Sequence, residues 1–240
     1  MDRRYLFIAG CERSGTTAAV RLLNTHPKIV MGIERYRLVK RKIAPTLFEK
    51  DRFFDFREGD TDVIAHRKDY DALKEKFDEA TIFGDKNPRY FLSYKALFKS
   101  FPGCRVLFMI RDIEPVASSW NARAAAPKDR WPEKNDYRVA VATWNRANSL
   151  TARAATKHPK SLLVVDYAKL FSGDKDYLLR LLEDVQIDPH PTLLQQFEKM
   201  TSGWDDRSGR PLNLTQEQKD YLAAKADLKT YKDLIALAAR

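Results

Sequence analysis

Gly10-Cys11-Glu12-Arg13-Ser14-Gly15-Thr16-Thr17 follows directly on an apolar run, Tyr5 to Ala9, and leads into the helical pattern Ala18-Ala19-Val20-Arg21-Leu22-Leu23. A strand, a glycine-bracketed loop and a helix N-terminus together make an anion site, because unpaired backbone N–H groups and the helix dipole converge on one point. The spacing is that of a P-loop, yet Thr16 stands where nucleoside triphosphatases carry lysine, and the basic residue has moved forward to Arg13. Without that lysine, a grip on β- and γ-phosphates is weakly supported. One phosphate joined to a sulfate needs less charge, and a planar guanidinium suits its oxygens. The plainer alternative is a strand-to-helix turn with Ser14 or Thr16 as the N-cap.

A second anion clamp is written at Val106 to Ile110, which ends in Arg111-Asp112 and continues through Pro115 to Ser119-Trp120. A strand ending in arginine, then a helix presenting Ser119 about two turns on, can set a guanidinium and a hydroxyl beside one ligand. An ion pair of Arg111 with Asp112 or another surface acid is the ordinary alternative. Group transfer between two such clamps also needs a base for the acceptor proton and a cation at the transferring oxygens. Glu34 follows a short strand, Ile29 to Met31, on the same sheet edge as the loop. Arg35 and Arg37 would lower its pKa and burial would raise it. Lys86, in Phe83-Gly84-Asp85-Lys86-Asn87-Pro88, follows another strand end and precedes a helix.

Arg13-Ser14-Gly15-Thr16-Thr17 resembles the 5′-phosphosulfate loop of sulfotransferases that use 3′-phosphoadenosine 5′-phosphosulfate (PAPS), in the branch that includes the tyrosylprotein sulfotransferases and many bacterial relatives. Four ordered segments between Tyr5 and Tyr167 carry the resemblance. It implies that the loop with Ser14, Gly15, Thr16 and Thr17 holds the 5′-phosphate, and that Arg111 and Ser119 hold the 3′-phosphate. Glu34 is then the general base, while Lys86 and Arg13 stabilise the sulfuryl oxygens and the bridging oxygen. Asn87 stands where the family more often has Thr or Asp. Val165-Asp166-Tyr167 resembles a strand-end segment near the adenine. Ser202-Gly203-Trp204 with Arg207 and Arg210 resembles a late loop closing on the nucleotide. The resemblance implies PAPS as co-substrate, 3′,5′-bisphosphoadenosine (PAP) as product, and no metal.

The elements that must position these residues read as an α/β fold. Short apolar runs at Tyr5 to Ala9, Ile29 to Met31, Thr81 to Phe83, Arg105 to Ile110 and Ser161 to Asp166 alternate with helical stretches at Thr17 to Asn24, Tyr90 to Ser100, Pro115 to Arg123, Tyr137 to Thr156 and Asp176 to Val185. That alternation predicts a P-loop-type three-layer sandwich: a mainly parallel sheet of about five strands, helices on both faces, and a helical C-terminus. Thr215 and Gln218 predict a capping box there, a better reading of Asn213-Leu214-Thr215 than a glycosylation sequon. Glu34 to Arg67 and Ala124 to Asp136 are less regular and long enough to be binding loops or lids.

The chain has 240 residues, a size at which one core is expected, so residues 1–240 read as one domain. Lys and Arg number 43 against 33 Asp and Glu, a net charge of +10 that favours anionic ligands. Nothing resembles a nucleic-acid recognition module, and the basic run Arg35 to Lys42 reads as a solvated face or a collar for an acidic acceptor. Cys11 and Cys104 lie far apart with no metal-ligand spacing, which predicts two free thiols. The first apolar run is too short for a secretion signal or membrane span, so the protein reads as cytoplasmic. The acceptor is open among glycans, peptide tyrosines, lipid heads and small molecules. A P-loop kinase or triphosphatase and a non-catalytic nucleotide binder are the competing readings. Against the kinase stand Thr16 and the absence of an apolar strand ending in a lone Asp for Mg²⁺.

Overall fold

The computed structural model describes residues 3–36, 43–61, 69–126, 129, 131–203 and 212–238. β1 (Arg4–Gly10), α1 (Thr16–Leu23), β2 (Ile29–Ile33), α2 (Lys50–Phe54), α3 (Asp69–Glu75), β3 (Ile82–Lys86), α4 (Tyr94–Ser100), β4 (Arg105–Ile110), α5 (Ile113–Ala124), α6 (Tyr137–Lys157) and β5 (Leu162–Asp166) follow in order. The chain then turns helical through α7 (Tyr167–Phe171), α8 (Lys175–Asp184), α9 (Pro191–Thr201), α10 (Gln216–Lys225) and α11 (Leu228–Ala238).

The five strands form one parallel sheet in the order β2-β3-β1-β4-β5. Side chains of a strand alternate between faces, and both sets here are apolar. Phe7, Phe83, Val106, Phe108 and Ile110 belong to a core shared with α2 to α6 and the two C-terminal helices. Leu6, Ile8, Met31, Leu107 and Met109 belong to the opposite core, closed by α1 and by α7 to α9. This is the three-layer α/β architecture, and double coverage explains why the strands read as unbroken apolar runs.

Two strands run further than the sequence predicts. β3 runs past Gly84 to Lys86, and β2 runs past Gly32 to Ile33. At Gly84 an added Cβ would sit 1.7 Å from the Leu6 carbonyl oxygen, so the glycine is there for close approach of β3 to β1, not for a turn. The expected helix Tyr90 to Ser100 is a 3₁₀ turn, Pro88–Leu92, followed by α4. Asn87 opens that turn, its side chain accepting from the Arg89 amide at 3.0 Å, which accounts for its place in the motif. The Thr215–Gln218 capping box is formed. Cys11 and Cys104 are both free and buried.

In an open parallel sheet, ligands bind outside the carboxyl ends of the strands, where the order of connection reverses. Here β1 is followed by β2 on one side and, after β3, by β4 on the other. All five strands end in a candidate residue: the loop 11–15 after β1, Glu34 after β2, Lys86 closing β3, Arg111 after β4 and Tyr167 after β5.

Candidate active site

The loop after β1 owes its shape to two left-handed residues, Arg13 (φ 75°) and Gly15 (φ 83°). Gly15 is the N-cap of α1 and no side chain caps the helix, so neither Ser14 nor Thr16 takes that role. A Cβ on Gly15 would meet two ring carbons of Tyr167 at 2.4 Å. Glycine is therefore required by both backbone and neighbour. Ser14 is 1% exposed, and its Oγ has no hydrogen-bond partner among the described residues. A buried, unsatisfied hydroxyl beside a helix N-terminus with no acidic residue in its first turn fits an anion. Glu12, an acid inside this loop, is neutralised by Arg89, whose Nε donates to its carboxylate at 2.6 Å.

Arg111 leaves β4 and returns to the loop. Its Nη1 donates to the Arg13 carbonyl at 3.1 Å, and its guanidinium carbon lies 4.0 Å from the Tyr167 ring centroid. Arg13 in turn donates from Nε to Ser119 Oγ at 2.8 Å. Asp112 caps α5 and accepts from the Glu114 amide; that cap fixes the start of the helix that presents Ser119. Arg13, Gly15, Arg111, Ser119 and Tyr167 thus form one contiguous patch over β1, β4 and β5.

On the other side of β1, Lys86 Nζ lies 2.6 Å from Glu34 Oε1. Lys86 is buried to 1% exposure, whereas the Glu34 side chain keeps 31%. The Arg35 side chain turns inward and pairs with Asp60 at 2.9 Å. Arg37 lies outside the described residues. A buried cation held against a half-exposed carboxylate can orient an acceptor and stabilise charge developing on a transferring group.

Arg123 went unremarked in the sequence. It lies one turn beyond Ser119 on α5, donates twice to Asp129 at 2.8 and 2.7 Å, and sits 4.6 Å from the Trp131 ring centroid. Its pKa is raised, first by the Asp129 hydrogen bonds and also by the charge on Glu34. The four-residue spacing from Ser119 was the available signal. Among the described residues no cluster of three His, Cys, Asp or Glu could hold a metal, and no helix is long and apolar enough to cross a membrane.

A family model described as the sulfotransferase family matches residues 6–191. The chain belongs to the sulfotransferase family. It is 26% identical over 207 residues to a protein-tyrosine sulfotransferase 1 of Danio rerio, covering 82% of this chain and 57% of that protein. Against protein-tyrosine sulfotransferase A of Caenorhabditis elegans it is 24% identical over 85% of this chain and 51% of that protein. The chain spans about half the length of the curated relatives it matches. Among solved structures, a mouse sulfotransferase complexed with PAP superposes with a TM-score of 0.57 at 12% identity, covering 100% of this chain and 91% of that one. A sulfotransferase domain from the curacin biosynthetic pathway gives 0.55 at 15% identity, covering 93% and 97%. At those identities the likeness is one of fold.

Within this family member, the fold brings the expected residues together in two groups, Arg13 with Arg111, Ser119 and Tyr167, and Glu34 with Lys86. Thr16 is buried and Thr17 half-buried in the first turn of α1. Ser202 is the C-cap of α9, and its Oγ donates to the Lys199 carbonyl of that helix. Trp204, Arg207 and Arg210 lie outside the described residues.

Proposed function

We propose that this sulfotransferase transfers the sulfuryl group of PAPS to a hydroxyl or amine of an acceptor, with Glu34 as general base. The single observation that carries the reading is the Glu34–Lys86 pair beside a phosphate loop whose Ser14 hydroxyl is buried and unpartnered. The neighbour solved with PAP supports the choice of nucleotide.

The backbone N–H groups of the loop with Ser14, Thr16 and Thr17 would hold the 5′-phosphate. Arg111 and Ser119 would hold the 3′-phosphate, and Tyr167, fixed between Gly15 and Arg111, would border the nucleotide. No metal enters the scheme.

In the transfer, the acceptor oxygen or nitrogen attacks sulfur in line and its proton passes to Glu34. The bond between sulfur and the bridging oxygen breaks, and PAP leaves with that oxygen. Lys86 donates to the bridging oxygen as negative charge collects there, and its attraction to Glu34 falls as that carboxylate takes the proton. Arg13 serves the sulfuryl oxygens, exchanging or sharing its bond to Ser119 when both phosphates are in place. Such a loose transition state asks for position and charge more than for covalent help.

Thermal denaturation with PAP, and separately with ATP and Mg²⁺, tests the reading. Saturation at 100 times Kd adds about 2.7 kcal/mol of stability. Stabilisation by PAP and not by ATP is expected; a response to ATP with Mg²⁺ alone would favour a kinase or triphosphatase and overturn the proposal.

A further inference from the structure

Glu34 has a left-handed backbone, φ 52°, although it is not glycine. Such a conformation persists only where the surroundings over-determine it. The surroundings here are specific. The Ile33 amide donates to the Tyr70 hydroxyl at 3.0 Å, the Glu34 amide to the Lys86 carbonyl at 2.6 Å, and the Arg35 amide to Asp85 Oδ1 at 3.0 Å. The Glu34 carbonyl accepts from Thr61 Oγ1 at 2.6 Å. Four successive donors and acceptors are therefore held from three directions.

Behind the turn, Asp85 is fully buried, and its second oxygen accepts from the Tyr90 hydroxyl at 2.8 Å. Arg35 is likewise fully buried, donating to the carbonyls of Phe53 and Asp55 at 2.7 Å, with its guanidinium 4.5 Å from the Tyr36 ring centroid and 4.0 Å from that of Phe56. The turn carrying Glu34 is thereby fastened to β3 on one side and to residues 53–61 on the other. We infer that Thr61 and Asp85 are positioning residues for Glu34, fixing the left-handed turn that lays its carboxylate on Lys86. Both side chains hold the main chain of the turn, Thr61 at the Glu34 carbonyl and Asp85 at the Arg35 amide. A relaxed turn would swing the carboxylate away while β2 stays paired to β3. The inference rests on Glu34 being the base.

Thr61→Val removes the hydroxyl at nearly constant volume, and Thr61→Ser keeps it. Amide exchange at Glu34 and Arg35 should quicken by about tenfold in the valine variant, with β1 unchanged and the serine variant like the parent. PAP release from PAPS, with 4-nitrophenol and a tyrosine-bearing acidic peptide as acceptor probes, should slow about tenfold to a hundredfold in kcat. PAP affinity should stay within about twofold. In a Glu34→Gln background the valine change should cost nothing further. Tyr90→Phe, which removes the support behind Asp85, should act in the same direction more weakly.

Unchanged exchange at Glu34 in Thr61→Val overturns the inference, as does a kcat loss that persists undiminished when Glu34 is already Gln. If Glu34→Gln itself turns over like the parent, it is the general-base reading that falls, and the exchange result still decides whether Thr61 holds the turn.

Discussion

Arg111 Nη1 reaches the Arg13 carbonyl at 3.1 Å, so the residue that ends β4 is tied to the backbone of the loop that follows β1. Two segments 98 residues apart are thereby one structural unit. Arg13 in turn donates to Ser119, so the start of α5 joins the same unit.

Arg111→Lys should weaken PAP binding by about 10- to 100-fold, since an ammonium cannot reproduce a planar fork that stacks on Tyr167 and bonds the loop at once. Isothermal titration with PAP reads this directly. Parent-like affinity would remove Arg111 from the nucleotide site.

Gly15→Ala places a methyl against the Tyr167 ring and forces φ 83° on a residue with a Cβ. The expected loss of stability is about 1–3 kcal/mol. Chemical denaturation measures it, and Tyr167→Ala added to Gly15→Ala should restore the steric part but not the conformational part.

Lys86→Met replaces a buried ammonium by an apolar chain of similar shape, leaving Glu34 31% exposed and able to stay hydrated. Stability should therefore change by less than about 1 kcal/mol, while turnover of PAPS falls by about 100-fold or more. An active variant would leave the transferring group without the cation assigned to it.

His26 predicts a pH dependence of folding. Its Nδ1 accepts from the Lys28 amide at 3.1 Å and its Nε2 donates to the Asp188 carbonyl at 3.1 Å, so the ring is held neutral. Burial lowers its pKa below the ordinary value of 6.5, more than the Asp188 contact raises it. The unfolded chain therefore binds the proton more readily than the folded one. This contribution to stability is fully present above pH 6.5 and is lost as pH falls through the folded pKa. Denaturation curves between about pH 7 and 5 should show a slope that His26→Gln diminishes.

The fold was readable because every strand is buried on both faces and so is apolar throughout, a pattern that survives without knowledge of its neighbours. The loop and the Arg111–Ser119 segment were each readable, but their contacts join residues 98 and 106 apart. Glu34 and Lys86 could each be nominated, but their contact joins residues 52 apart and follows from the register Ile33 to Lys86. Arg35 misled because sequence adjacency suggested a partner for Glu34, whereas Asp60, 25 residues on, claims it.

Because the candidate base follows β2, at the margin of the sheet, while the phosphate loop follows the central strand β1, the two halves of the site rest on parts of unequal cohesion. A peripheral strand can fray without disturbing the centre. On gentle warming, chemistry would be extinguished before nucleotide capture, and a sluggish preparation could still hold its product firmly.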